Sequence, residues 1–312
     1  MRTRHAVVMV GALLGAAVAP LGAQTPPAAH DYVPYTAAQC SSCAAWMMPE
    51  APRRIFGNTY YVGTHGLSAI LITSDRGLVL IDGAIPEAAD SVMAHILALG
   101  FRVEDIKLIL NSHAHFDHAG GIAAIQRASG AEVAATKWSA EVLMKGASIP
   151  GDPQYGIVLS YPAASNVRVI ADGDVEHVGP LTLTAHVTAG HTPGGTTWTW
   201  QSCEATRCLD LVYADSQTPV SADGFLFTKS DAYPAAIHDF EHGFATLEEL
   251  PCDILLTPHP EASQLLARLE STGDNSPRLI DTAACSRLAA TGRDALGKRI
   301  ASERGTIQNH PR

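Results

Sequence analysis

Positive charge is what this sequence has least of. Its 21 lysines and arginines stand against 31 aspartates and glutamates, a formal net charge of −10 over 312 residues. Without a basic excess there is no patch to neutralise a phosphate backbone, which argues against a nucleic-acid partner. No segment repeats at a fixed period, so solenoids and propellers are set aside. Beyond the N-terminus no apolar run is long enough to span a bilayer. Charged residues make up 17% and apolar residues 46%, the proportions of a soluble globular chain rather than a disordered one.

The N-terminus, "MRTRHAVVMVGALLGAAVAPLGAQ", is the exception. Arg2 and Arg4 precede an apolar run from Ala6 to Ala19, and "LGA" at Leu21 to Ala23 offers a small-residue cleavage site. This is the pattern of a secretory signal peptide over residues 1–23. The alternative, a retained membrane anchor, is disfavoured by a run so short and so rich in Ala and Gly. The mature chain is therefore expected to be periplasmic and free of the membrane after cleavage. Six cysteines, an even number, agree with an oxidising compartment. Cys203 and Cys208 flank the short loop "EATR" and invite a hairpin-closing disulfide, while Cys252 and Cys285 can tie a strand to the last helix. Cys40 and Cys43 form a C-x-x-C pair. A zinc site there needs two further ligands that the sequence does not offer, so a disulfide is expected again.

Residues 24–50, rich in Pro, Ala and Ser, read as a loosely ordered N-terminal extension, and residues 51–312 as a single domain. "IFGNTYYVG", "SAILIT" and "GLVLID" are strand-like, with turn residues between them. "PEAADSVMAHILALG" opens on Pro86, carries apolar residues at helical spacing and closes on Gly100. "DIKLILNSH" is a nearly continuous apolar run, as in a buried strand. "AGGIAAIQRASG" then reads as a helix ended by Gly130. The second half repeats the logic, with strands at "VRVIA", "LTLTAHVT", "TTWTWQ", "LDLVYAD" and "DILLTP". A helix is expected near residues 233–249 and a last one from Asp281 to Glu303. This alternation predicts a layered α/β protein with sheets inside and helices outside. The ligand-rich segments all fall where strands end, where such folds gather their sites.

"NSHAHFDHAGG" holds His113, His115, Asp117 and His118 directly after an apolar strand. In an extended segment residues two apart project to the same side, so His113 and His115 can reach one metal. Asp117 and His118 lie where the chain turns into the next helix and can serve a second position. Imidazole and carboxylate suit zinc. A histidine-rich surface loop is the bland alternative. Such a loop has no reason to end an apolar strand, or to precede Ala-Gly-Gly, which lets backbones approach closely. One metal needs three or four ligands, so the cluster is short of partners.

Among 14 histidines, two more stand at strand ends in constrained surroundings: His191 in "TAGHTPGGTTW" and His259 in "LLTPHPEAS". Prolines on both sides fix the backbone of His259. His65 and His186 are candidates for outer support, and the others read as surface or structural residues. "YADSQT" adds Asp215, Ser216 and Thr218 at a further strand end. An Asp-Ser there is either a turn or cap, or a group that orients a ligand, binds a metal-held water or holds a substrate anion.

H-x-H-x-D-H followed by single distant histidines resembles the metallo-β-lactamase superfamily. Together with "GHTPGGTTWTW", "YADSQT" and "LLTPHP", the chain looks like class B β-lactamases of the third subclass, the secreted di-zinc branch. The likeness runs from about Ile55 to the final helix. It implies an αββα four-layer sandwich and two Zn2+ ions, one held by His113, His115 and His191, the other by Asp117, His118 and His259. The first two subclasses carry a cysteine ligand where this chain has Ser216. Lactonase-like and glyoxalase-like relatives usually carry a metal-bridging aspartate in this region, and Asp215 keeps that alternative open. By the same resemblance Ser216 and Thr218 receive the substrate carboxylate and Gln154, in "GDPQYG", touches substrate from a facing loop. Trp46 belongs to a mobile N-terminal flap.

The reaction so implied is hydrolysis of the β-lactam amide bond of penicillins, cephalosporins and carbapenems, conferring resistance to them. A hydroxide held between two zinc ions attacks, and Asp117 orients it. The S-x-x-K motif of serine-type lactamases is absent, in keeping with no covalent enzyme intermediate. The expected partner is a small-molecule β-lactam, and a monomer is expected because no interface pattern is visible. Two rivals share these segments: a periplasmic di-zinc hydrolase of lactones or thioesters, and a zinc-binding protein without hydrolase activity. Ligands placed at strand ends beside "GHTPGG" speak against the last.

Overall fold

The computed structural model describes residues 34–270 and 279–309, so the expected signal peptide lies outside the described residues. A short helix α1 (Cys43–Trp46) leads into strands β1 (Arg53–Phe56) and β2 (Thr59–Tyr61), then β3 (Ile70–Ser74) and β4 (Gly77–Ile81). Helix α2 (Ala89–Ala98) precedes β5 (Ile106–Leu110), α3 (Phe116–Ala119), α4 (Ile122–Ser129), β6 (Glu132–Thr136), α5 (Lys137–Lys145) and β7 (Val167–Ile170). The second half holds β8 (Val175–Val178), β9 (Leu181–Val187), β10 (Thr196–Glu204) and β11 (Arg207–Tyr213). It ends with α6 (Ala236–Glu249), β12 (Ile254–Leu256), α7 (Leu265–Glu270) and α8 (Ala284–Asn309).

The strands form a seven-stranded sheet in the order β1 to β7 and a five-stranded sheet in the order β12-β11-β10-β9-β8. From β4 to β7 neighbours run parallel, which demands crossovers, and α2, α4 and α5 supply them. All five residues of β4 are buried. Leu78 and Leu80 face the helices, while Val79 and Ile81 face the other sheet. Two buried faces explain the unbroken apolar run in the sequence. Between the sheets, Ile70, Ile72 and Leu110 meet Leu183, Trp198 and Leu211. Outside the second sheet, Phe240 and Phe244 of α6 and Ala289 and Leu296 of α8 pack on Val212 and Leu255. The four layers are the expected αββα order.

Five elements are not among those expected from the sequence: α1, β6, α5, β8 and α7. β6 is alanine-rich and runs into α5 with no Gly or Pro between them, so neither periodicity nor punctuation marks the change. α8 begins three residues after Asp281 and runs beyond Glu303. The N-terminal extension also differs from expectation, because from residue 34 onward it is tied to the body rather than loose. The Tyr35 hydroxyl donates to the Ser160 carbonyl at 2.6 Å, and Trp46 packs against the rings of Phe116 and His259. A segment rich in Pro, Ala and Ser has little to bury, but a few anchored aromatics suffice to dock it. All three expected disulfides form, Cys40–Cys43, Cys203–Cys208 and Cys252–Cys285.

Candidate metal centre

The site is assembled at strand ends of both sheets, and Asp82 shapes its floor. This residue follows β4, adopts φ +62°, and is fully buried. Its carboxylate accepts the Ser112 N–H at 2.8 Å, the Ser112 hydroxyl at 2.6 Å, the Asn111 amide at 3.0 Å and the Tyr213 hydroxyl at 2.8 Å. Burial raises its carboxyl, while the charge of His118 and these donors pull it back. Tyr213 belongs to β11 of the second sheet, so one carboxylate fastens the two sheets and the loop that carries His113. His115 stands at the N-cap of α3, whose single turn carries Asp117 and His118. His191 and His259 follow β9 and β12. Gly190, at φ +141°, passes so near the Phe240 ring that a Cβ would lie 2.5 Å from it, so only glycine fits before His191.

His113, His115 and His191 form a triangle with ring centroids 4.8–5.0 Å apart. Each has one nitrogen tied outward. His113 Nδ1 meets Asp215 Oδ1 at 2.8 Å, His115 Nε2 meets Asp152 Oδ2 at 3.0 Å, and His191 Nδ1 donates to the Thr218 carbonyl at 2.9 Å. Asp152 is itself held by the Ser148 hydroxyl at 2.7 Å. Beside this triangle, Asp117 Oδ2 lies 3.3 Å from His118 Nε2 and 3.4 Å from His259 Nε2. His259 Nδ1 donates to the Gly66 carbonyl at 3.2 Å, whereas buried His118 Nδ1 has no hydrogen-bond partner.

Burial keeps the rings of His113 and His191 neutral, the latter brought down to about 3, with neighbouring rings adding to the effect. Neutral imidazoles present lone pairs, which is the form a metal requires. Burial opposes ionisation of Asp117, but His118 and His259 outweigh it and hold the carboxyl well below the usual range. At Asp215 burial prevails and pushes the carboxyl well up. A buried carboxylate in that state gains most from a positive charge across the ring it holds.

These donors fit zinc. The ligand atoms of His113, His115 and His191 lie within 4.8 Å of one another, as do those of His113, Asp117 and His118. With zinc bonds of about 2.0–2.2 Å, tetrahedral ligand atoms stand about 3.3–3.6 Å apart, and the spacings around Asp117 Oδ2 fall in that interval. Outer hydrogen bonds that fix each ring are the companions metal-binding histidines normally have. The chain binds zinc.

Over the donors lies a cavity of about 310 Å³, bordered by Trp46, Phe116, Gln154, Ile157, Ser216 and Thr218. A larger depression of about 730 Å³ beside Thr73 and Thr184 has no such donor set. Chemistry rather than volume marks the site. His115, Asp117, His118, His191 and His259 also border this cavity, while His113 lies behind them against the rings of His115, His118 and His191. Gln154 places its amide 3.4 Å from His191 Nε2, Ser216 is half-buried and Thr218 exposed. His65 and His186 do not serve as supports: His65 pairs with Glu50, and His186 bonds Thr199 on the sheet. The supports are Asp82, Asp152 and the Gly66 carbonyl, which carry no local signature in the sequence. Asp152 stands in the quoted "GDPQYG", but nothing in one sequence pairs it with His115.

Donors gathered at the strand ends of an αββα sandwich define a metal-dependent hydrolase of the two-sheet type. Residues 62–268 match the family model for the metallo-beta-lactamase superfamily, and the chain belongs to that superfamily. Among solved structures it is similar to Rm3 metallo-beta-lactamase, at 52% identity over 85% of this chain and 99% of that one, with a TM-score of 0.83. It resembles MEM-A1, a subclass B3 metallo-beta-lactamase from a soil metagenome library, at 45% identity over 84% and 99%, TM-score 0.82. BJP-1, a subclass B3 metallo-beta-lactamase of Bradyrhizobium japonicum, is 31% identical over 85% and 99%, TM-score 0.77. An N-acyl homoserine lactonase of Bacillus cereus is 29% identical over 154 residues, 40% of this chain and 54% of that protein. The chain thus spans about half the length of this curated relative.

Proposed function

We propose that the protein is a periplasmic di-zinc β-lactamase that hydrolyses the amide bond of penicillins, cephalosporins and carbapenems and so confers resistance. The observation that carries this reading is the division of labour at the histidine rings. Outer nitrogens are satisfied by Asp215, Asp152, Thr218 and Gly66, while inner nitrogens turn to a common centre. One zinc ion is assigned to His113, His115 and His191, the other to Asp117, His118 and His259. Zinc, when bound, supplies Lewis acidity toward a carbonyl oxygen and lowers the pKa of water to roughly 7.

The chain's own groups do the rest. Ionised Asp117 accepts a hydrogen bond from the attacking water and orients it toward the ring carbonyl. Ser216 and Thr218 donate hydroxyls to the substrate carboxylate, and Gln154 holds the substrate from the facing wall. Water adds across the C–N bond: the carbonyl carbon gains oxygen, the ring nitrogen gains a proton, and no bond to the protein forms. The subclass B3 neighbours support the substrate class. Three disulfides and the N-terminal pattern support export. Residues 51–312 are taken as the single domain, and the chain as a monomer.

Similarity to the Bacillus cereus lactonase favours a second reading, hydrolysis of lactones or thioesters. Asp215 argues against it, because its carboxylate turns to the outer nitrogen of His113 instead of bridging between metal positions. Turnover of imipenem and of an N-acyl homoserine lactone, with and without chelator, decides the matter. Chelator-sensitive imipenem hydrolysis is expected. Lactone turnover alone moves the assignment to the second reading, and zinc uptake with neither turnover makes this a zinc-binding protein.

A further inference from the structure

Between α8 and the loops that carry Ser216 and His259 lies a crevice of about 130 Å³. Leu288, Thr291 and Ala295, a stripe at helical spacing, form one wall, and Pro258 and Ala262 face them. Carbon makes up most of its surface. The crevice and the donor cavity share Ser216, Thr218 and His259 as a partition.

α8 is pinned at three points, so the crevice does not close by collapse. The Cys252–Cys285 disulfide fixes its start. Gly292 packs so closely that a Cβ would lie 2.6 Å from the Phe244 ring and 2.9 Å from the Gln217 carbonyl. Further along, Arg299 donates to the Ser221 hydroxyl and the Phe225 carbonyl, both at 2.8 Å. Glu303 accepts the N–H groups of Phe227 at 3.0 Å and Thr228 at 2.9 Å.

We propose that this crevice is a preformed site for a small, uncharged, apolar molecule about the size of one aromatic ring. Its volume is close to that of a dry apolar cavity of about 150 Å³ that admits benzene. Asp215, the carboxylate among the lining residues, is fully buried with Oδ1 on His113, so the crevice wall exposes no carboxylate to pair with a charged ligand. An occupant presses on the backs of Ser216, Thr218 and His259 without entering the donor cavity. The proposal does not rest on the β-lactam reading, since binding is measured without turnover.

The test uses zinc-loaded protein with toluene as probe and saturation-transfer NMR as readout. Transfer to toluene is expected for the wild type. It falls to background in Ala295→Leu and in Ala262→Leu, which fill the crevice from opposite walls at positions that are exposed or half-buried. Zinc content and melting temperature are expected to stay unchanged in both. No transfer in the wild type, or transfer in both filled variants as strong as in the wild type, overturns the proposal. Added benzylpenicilloate is expected to leave the transfer unchanged, because the partition keeps a ligand of the donor cavity out of the crevice; displacement of toluene would place the probe in the donor cavity and overturn the proposal.

Discussion

The two groups of donors differ in how firmly they are held. In the triangle of His113, His115 and His191 every outer nitrogen has a partner at 3.0 Å or less, and two of the three partners are buried carboxylates. In the group around Asp117, His118 Nδ1 has no partner, His259 leans on a carbonyl at 3.2 Å, and its side chain is 35% exposed beneath Trp46. Outer partners fix ring direction and raise ligand basicity. The triangle is therefore the preorganised half of the centre, and the Asp117 group the adaptable half.

The largest blow to this comparison comes from removing a member of the triangle. His191→Ala is expected to lose zinc from that position and to abolish imipenem hydrolysis while the chain stays folded, as read by metal analysis, circular dichroism and turnover. Retained activity after removal of loosely bound metal would sink the ligand assignment. Asp215→Asn leaves the donors in place and removes only the outer charge on His113. Outer-shell changes cost about 10–100-fold, so zinc affinity of the triangle should fall by that much while the Asp117 group is spared.

A chelator titration of the wild type sharpens the contrast without mutation. Zinc should leave in two steps, and Trp46→Ala should advance only the first. The aromatic contact on His259 is worth about 0.5–1.5 kcal/mol, or roughly 2–10-fold in affinity. Equal advance of both steps would show that the two halves are not separately held. The smallest effect on the centre is expected from Glu303→Gln, which lies outside both groups. Its carboxyl is held below the ordinary value: burial opposes ionisation, but the N–H groups of Thr228 and Phe227 and the Arg299 side chain prevail. A depressed folded pKa gives stability that is present above the unfolded value of about 4.3 and is lost as pH falls through the folded one. The variant should lose about 1–3 kcal/mol at neutral pH, with the gap narrowing in acid and zinc content unchanged. Thermal melts across pH check this.

How far each half was legible in the sequence follows from how its residues are joined. The six proposed donors stand in short motifs at the ends of apolar strands, so spacing and strand pattern expose them. Their supports do not. Asp152 lies 37 residues from His115, and Asp215 lies 102 from His113, distances that only the fold closes. Asp82 is one acidic residue at the end of β4, and its four bonds depend on a sheet partner that no local pattern names. The fold was legible where strands are covered on both faces, as in β4 and β5, and illegible at β6 and α5, where alanine-rich sequence serves a strand and then a helix without a break.

The donors come from β5 in one sheet and from β9 and β12 in the other. A cation among them is a rivet between the two halves of the sandwich, and the unfolded chain has no such arrangement to offer it. Zinc supply and conformational stability then become one quantity. Each tenfold rise in free zinc above the dissociation constant adds about 1.4 kcal/mol per bound ion to the native state. A chain emerging unfolded into metal-poor surroundings would therefore be short-lived as well as inactive, and chelation would act on its abundance before it acted on its turnover.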